Sequence, residues 1–231
     1  MKKLFKYFSI GELILWCSSV TVIVISFCLF DRESYLTLVA SLVGVTALIF
    51  CAKGNPIGQV LMVLFSILYG IISLGFAYYG EMITYLGMSM PMAIFSLISW
   101  VRNPYKGDHS VVKTNKIEKK EIFIMLGVSA IVTVFFYFIL KIFGTANLLP
   151  STLSVSSSFL AAYLTFRRSP YFALVYAIND IVLIVLWTLA AFRDATYISV
   201  IICFAVFLVN DLHGFFSWKR MEIRQSMPIE P

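Results

Sequence analysis

Two Asn-Asp pairs, Asn179-Asp180 and Asn210-Asp211, stand inside otherwise apolar runs of this 231-residue chain, the second followed by His213. An amide both donates and accepts hydrogen bonds, which suits ribose hydroxyls or a carboxamide. An ionised carboxylate only accepts, which suits a cation. Polar and ionisable groups in hydrocarbon are costly and mark solute or ion pathways, so all four are candidates for contact with a small polar solute. The competing use is as glue between helices, common for Asn in membranes. Neighbouring helical residues point about 100° apart, so the four side chains cannot all face one cavity. His213 could carry protons, or could cap or pack a helix near the membrane surface. Tyr69, Tyr85, Tyr163, Tyr176 and Trp187 also fall within apolar runs and could stack on a flat heterocycle, or simply pack. Trp16, Tyr78, Tyr79, Trp100 and Trp218 fall at run ends, where interfacial aromatics are expected.

The elements that must hold these residues follow from composition. Sixty per cent of the chain is hydrophobic and 13% charged, against roughly 45–50% and about 25% in a soluble domain. That balance excludes a soluble globule, and disorder with it. Cys17, Cys28, Cys51 and Cys203 are scattered through apolar runs, which excludes a disulfide scaffold and offers no metal or redox pair. Eight apolar segments can be marked, at 11–30, 35–52, 57–79, 82–100, 121–143, 148–166, 170–192 and 195–218, each near the roughly 20 residues a span requires. Runs such as Val60–Phe76 and Ile181–Ala191 are continuously apolar rather than alternating, so the spans are helices and not barrel strands. The first follows Lys2, Lys3 and Lys6 but is too long for a signal peptide and lacks a small-residue cleavage pattern before Asp31. It reads as a retained helix.

Basic residues set the orientation. With the N-terminus in the cytoplasm, fifteen of the eighteen Lys and Arg residues fall in inside loops, and only Arg32, Lys141 and Arg193 fall outside. A multi-pass protein of the cell membrane with both termini cytoplasmic is expected. The net charge of +6 is thereby topological. No basic face interleaved with aromatics calls for a nucleic-acid partner.

Short polar landmarks recur. Lys53-Gly54-Asn55-Pro56 is echoed by Arg167-Arg168-Ser169-Pro170 at an offset of 114 residues, and Ser99-Trp100-Val101-Arg102 by Ser217-Trp218-Lys219-Arg220 at 118. The organisation read from this is an N-terminal transmembrane helix (1–34), a first three-helix repeat (35–103), a cytoplasmic loop and linker helix (104–147), a second three-helix repeat (148–222) and a cytoplasmic tail (223–231). Parallel duplications of this kind are a transporter plan with the site at the repeat interface near the midplane. Pro91 in the fourth span can kink or hinge it, and the small polar run Ser151–Ser158 should be buried against other helices or face a cavity. No P-loop, zinc-protease motif, nucleophile elbow or haem-type His pair is present. Neither enzyme activity nor a cofactor or metal is expected.

The stretch Lys53-Gly54-Asn55, Leu68-Tyr69-Gly70-Ile71-Ile72-Ser73, Tyr79-Gly80-Glu81-Met82, Pro91-Met92 and Trp100-Val101-Arg102-Asn103, joined by Asn179, Leu186-Trp187, Asn210, Gly214 and Ser217-Trp218-Lys219, resembles the PnuC family of nicotinamide riboside transporters. The resemblance spans about residues 35–222. It implies an all-α, SWEET-like fold of three helices, a linker and three helices, here with an extra first helix. It implies a facilitator that equilibrates a vitamin later trapped by phosphorylation, assembled as a homotrimer. The pattern's Gln after the Pro-Met pair is Ala93 here, one Trp of its Trp-x-x-Trp is Leu97, and its Asn in the third span is Phe65. The expected substrate contacts are Asn179, Asn210, Trp187, Asp180, Asp211, Tyr69, Tyr85 and Tyr176. The expected cargo is a nucleoside-like vitamin, nicotinamide riboside first. Thiamine, riboflavin or a deoxynucleoside is the alternative cargo, and a vitamin-binding subunit of an ATP-driven importer the alternative role.

Overall fold

The computed structural model describes residues 7–75, 79–145 and 147–227. Lys2, Lys3, Lys6 and Tyr78 lie outside the described residues. The chain is helical almost throughout. Helix α1 (Ile10–Phe30) starts at a capping box, in which the Glu12 N–H donates to Ser9 Oγ at 3.3 Å and the Ser9 N–H to Glu12 Oε2 at 2.7 Å. Then follow α2 (Tyr35–Ala52), α3 (Ile57–Gly75), α4 (Tyr79–Thr84), a π-helical turn (Tyr85–Ser89) and α5 (Met90–Val101). Helices α6 (Lys119–Ile142), α7 (Leu148–Phe166), α8 (Phe172–Ala191) and α9 (Ile198–Ser226) complete the bundle.

Seven helical segments among the described residues are long and apolar enough to cross a membrane: α1, α2, α3, Gly80–Val101, α6, α8 and α9 with its preceding turn. The eighth expected span, α7, is 19 residues long but falls short in apolarity because of its Ser and Thr content. Two of its threonine hydroxyls turn back on their own helix, Thr152 donating to the Leu148 carbonyl at 2.7 Å and Thr165 to Ala161 at 2.8 Å. This hides the polar hydrogens without breaking the backbone ladder. Helix α9 runs to Ser226, eight residues past the expected end of its span.

Pro91 has no N–H to give and its ring presses on the preceding turn. The structure resolves the conflict with the π-turn, where the Met90 N–H reaches back to the Tyr85 carbonyl. Such single-turn widenings gather at functional sites.

Helices α2, α3, α5, α7, α8 and α9 close a ring, each packed on the next and α9 returning to α2. Outside it, α1 lies across α2 and α9, and α6 lies against α7 and α4. At one end, a short antiparallel hairpin (β1, Pro104–Tyr105; β2, Asp108–Val112) that was not expected in the loop lies over two helix ends. The Val112 N–H donates to the Gly54 carbonyl at 2.9 Å, and the Asn115 N–H to the Arg168 carbonyl at 3.0 Å. Gly54 and Arg168 are both left-handed, with φ of 68° and 56°. Burial, then the neighbouring Arg167 charge, holds the Arg168 guanidinium below its usual value, and its Nη1 donates to Ser99 Oγ at 2.6 Å. Beneath the hairpin, the Trp100 and Trp218 rings lie 5.2 Å apart, tilted at 48° to each other, with no exposed surface. The Trp100 indole donates to the Thr165 carbonyl (2.9 Å) and that of Trp218 to the Cys51 carbonyl (2.7 Å).

Candidate substrate cavity

The ring encloses a cavity of about 370 Å³, within the roughly 300–1,000 Å³ usual for small-molecule sites. Its mouth is rimmed by Asp31 and Glu33 from the α1–α2 connection and Asp194 from the α8–α9 connection. Its floor reaches Thr165, Phe172 and Asp211, where the Phe172 ring packs edge-on at 4.9 Å against Trp218. The cavity is therefore open at one end of the bundle, and the Trp pair and hairpin close the other.

One wall is aromatic. Phe65 and Tyr69 of α3 lie 4.6 Å apart, Tyr69 and Tyr85 5.1 Å, and Phe207 of α9 comes within 5.9 Å of Phe65. Trp187 lies nearer the mouth, 5.2 Å from Tyr197. The opposite wall is polar. The Asn179 carbonyl accepts from Ser157 Oγ at 2.8 Å and Ser154 Oγ at 3.3 Å. Its Nδ2 donors make no bond within the described protein and are left for the cavity. Asp180 of α8 and Asp211 of α9 line the cavity from neighbouring helices and are 4% and 5% exposed. Asp180 Oδ2 and Ser96 Oγ are buried with no protein partner.

Of the residues expected from the sequence, Asn179, Asp180, Asp211, Trp187, Tyr69, Tyr85 and Tyr176 all line this one cavity. Asn210 does not. Its Nδ2 donates to Ser19 Oγ on α1 and to the Val206 carbonyl, both at 2.9 Å. The roughly 100° step between neighbouring residues sends Asp211 inward and Asn210 to the outer helix, which corrects the expectation of direct contact there. Tyr163 also turns away, its hydroxyl donating to Glu121 at 3.2 Å. His213 is half-buried with an unpartnered Nδ1 and is not on the cavity wall.

Sequence reasoning missed Gln59, Glu81, Phe65 and Ser96 as wall residues. Buried Gln59 donates to Cys51 Sγ at 3.4 Å. A lone amide inside the apolar run 57–79 was the available signal. Glu81 reads as a loop residue in the sequence but sits in the first turn of α4 and lines the cavity.

A model of the nicotinamide mononucleotide transporter family matches residues 34–220. The chain belongs to this family. It is thus a membrane transporter, multi-pass and helical. It is 25% identical over 202 residues to the nicotinamide riboside transporter PnuC of Neisseria mucosa, which covers 85% of this chain and 76% of that protein. The crystal structure of the vitamin B3 transporter PnuC superposes with a TM-score of 0.82 at 22% identity, covering 96% of both chains. That match speaks for the transporter's fold. Phe65 and Ala93, two of the positions where this chain departs from the PnuC pattern, both face the cavity, whereas Leu97 does not.

Proposed function

We propose that this transporter moves a nucleoside-like vitamin, nicotinamide riboside first, across the cell membrane by facilitated diffusion, with phosphorylation inside retaining it. The observation that carries the reading is the charge of the wall. Asp31, Glu33, Glu81, Asp180, Asp194 and Asp211 line the cavity, and no Lys, Arg or His does so among the described residues. A pyridinium cation is attracted to such a wall, and stacking on Tyr69, Tyr85 or Trp187 adds about 0.5–2 kcal/mol. A phosphate meets only like charge. Asn179 would hold the carboxamide or ribose, with Asp180, Asp211 and Tyr176 as further contacts. Asn210 would act at one remove, by seating α9 on α1.

The transport reading rests on a two-fold plan in which residues 35–103 and 148–222 are SWEET-like three-helix repeats, α7 is an eighth span, and 1–34, 104–147 and 223–231 are the N-terminal helix, linker and tail. Its support is the reciprocal pairing. Each Trp bonds the carbonyl that ends the other repeat's leading helix, and Cys51 and Thr165 are separated by the same 114 residues as the polar landmarks. The basic residues gather at the closed end, which supports cytoplasmic termini and an outward-facing cavity. Assembly as a homotrimer follows from the family resemblance.

Calorimetry on the purified protein tests the cargo. Nicotinamide riboside should bind at least tenfold more tightly than nicotinamide mononucleotide, and liposomes holding the protein alone should equilibrate the riboside. Equal affinity for the mononucleotide would sink the charge argument. Phe65 and Ala93 make the wall less polar than the PnuC pattern implies and favour thiamine as the second cargo to try.

A further inference from the structure

Two amides line the cavity among the described residues, one from each half of the bundle: Gln59 on α3 and Asn179 on α8. They stand at different depths. Gln59 Nε2 donates to Cys51 Sγ at 3.4 Å, and Cys51 packs in one cluster with Phe172, Trp100 and Trp218 at the closed end. Asn179 follows Phe172 by seven residues on α8, which puts it about 10 Å nearer the mouth. The 114-residue offset between the halves pairs Asn179 with Phe65. The first half therefore has no amide at that level and carries one six residues closer to the floor.

The two amides also leave opposite groups free. Asn179 bonds the protein through its carbonyl, which accepts from Ser154 and Ser157, so its Nδ2 hydrogens are spare. Gln59 spends an Nε2 hydrogen on a thiol, and its Oε1 accepts nothing from the described protein although the residue is 3% exposed. Between the two levels, Ser96 on α5 is buried with no protein partner for its Oγ. It stands four residues before Trp100, about 6 Å above the Trp pair. Buried polar groups left unpaired are costly, and all three border the space left for a cargo. The wall thus offers donors nearer the mouth and an acceptor at the floor. A nicotinamide riboside carries the complementary pattern. Its carboxamide oxygen accepts at one end, its ribose hydroxyls donate at the other, and an extended nucleoside is long enough to touch both levels. The aromatic wall fixes which end goes where, because Phe65 and Tyr69 lie on the mouth side of Gln59 along α3.

We propose that Gln59 determines specificity at the floor of the cavity, its Oε1 accepting the 5′-hydroxyl of a riboside that stands ring toward the mouth and ribose toward the closed end. The inference rests on the nucleoside-vitamin reading above and assigns the ends of that cargo. Asn179 Nδ2 donates to the carboxamide oxygen, the ring lies along Phe65 and Tyr69, and Ser96 meets the ribose edge. A site built to bond a hydroxyl rejects the analogue that lacks it, because its own polar group is then left unpaired. The same orientation excludes a 5′-phosphate by room as well as by charge. Such a group would have to enter the floor, where Phe172 and the Trp pair close the bundle and Asp211 lines the wall.

Calorimetry on the full chain reads the contact, with nicotinamide riboside and its 5′-deoxy form titrated into the unsubstituted protein and into Gln59→Leu. Leucine keeps much of the volume and removes the acceptor. The 5′-deoxy form should bind the unsubstituted protein about tenfold more weakly than the riboside. Gln59→Leu should weaken the riboside by about the same factor and leave the 5′-deoxy form within about twofold. A merely structural loss at Cys51 would weaken both ligands alike. Equal losses for the two ligands in Gln59→Leu, or no loss for either, overturn the proposal and leave the vitamin reading standing. Equal affinity of the two ligands for the unsubstituted protein does the same without any variant. Failure of the unsubstituted protein to bind either ligand overturns both.

Discussion

Gly44 on α2 lies directly under the Phe65 ring of α3. A Cβ placed on it would come within 2.8 Å of Phe65 Cε2 and 2.6 Å of Phe207 Cζ. Only a residue without a side chain lets these two rings retract from the cavity. Gly44→Ala should drive both rings into the cargo's space, at an overpacking cost of about 1–3 kcal/mol. Affinity by calorimetry should fall more than the melting temperature in detergent does, because the rings can move into the cavity. An unchanged affinity would show that the aromatic wall does not border the cargo.

The two Asn residues should separate cleanly. Asn179→Ala removes the free Nδ2 donors, and its partner Ser157 can turn its one hydroxyl hydrogen to the Leu153 carbonyl, 2.9 Å away. Affinity should drop about tenfold, the loss of roughly one hydrogen bond of 1–1.5 kcal/mol. Asn210→Ala instead breaks the α9–α1 tie through Ser19, and should lower thermal stability while leaving affinity within twofold. The reverse outcome would restore Asn210 to the site.

Trp218→Phe keeps a ring against Trp100 and Phe172 but removes the donor to the Cys51 carbonyl. That carbonyl still accepts the Gly54 N–H at 2.9 Å, so the cost should be about 0.5–1.5 kcal/mol, not more. Trp100→Phe should cost a similar amount at Thr165, which likewise keeps the Arg168 N–H. A double variant should show coupling, since the two rings share one contact. Melting of the four proteins in one detergent measures it.

Pro91→Ala restores an N–H where the π-turn ends. The segment from Tyr85 to Ser89 should then relax toward α-helical register and shift Tyr85, a cavity residue. Uptake rate in liposomes should change more than binding affinity, and hydrogen exchange over residues 85–91 should slow.

Much of the fold was legible because about 20 apolar residues in a row have few other uses in a chain this poor in charge. Helix α7 stood at the margin for a physical reason. Its hydroxyls are polar by composition but find acceptors inside the bundle, Thr152 and Thr165 on their own backbone and Ser154 and Ser157 on Asn179, so they cost less there than their hydropathy suggests. The hairpin was not legible, because its strands are two and five residues long and take their partners from distant helix ends. In the site, Asp180 and Asp211 could be found from sequence, since carboxylates in apolar runs are rare. That both face one cavity could not, because it depends on how α8 and α9 are rotated. The same rotation sent Asn210 outward. Phe65, one phenylalanine among twenty-one, had no signal of its own.

Helix α1 fastens the meeting of α2 and α9 in three places: Lys53 to Glu12 at 3.0 Å, Trp16 to Thr46 at 3.2 Å, and Asn210 to Ser19 at 2.9 Å. The facing seam, between α5 and α7, has α6 outside it, tied to α7 by Glu121 through Tyr163 and Arg167 near one end. The seam itself is buttoned at the closed end, where Ser99 and Trp100 of α5 donate to the Phe166 and Thr165 carbonyls of α7. One seam is thus laced along its length by an outer helix and the other pinned at its base, so any parting of the second widens from the mouth downward, as a clothes-peg does.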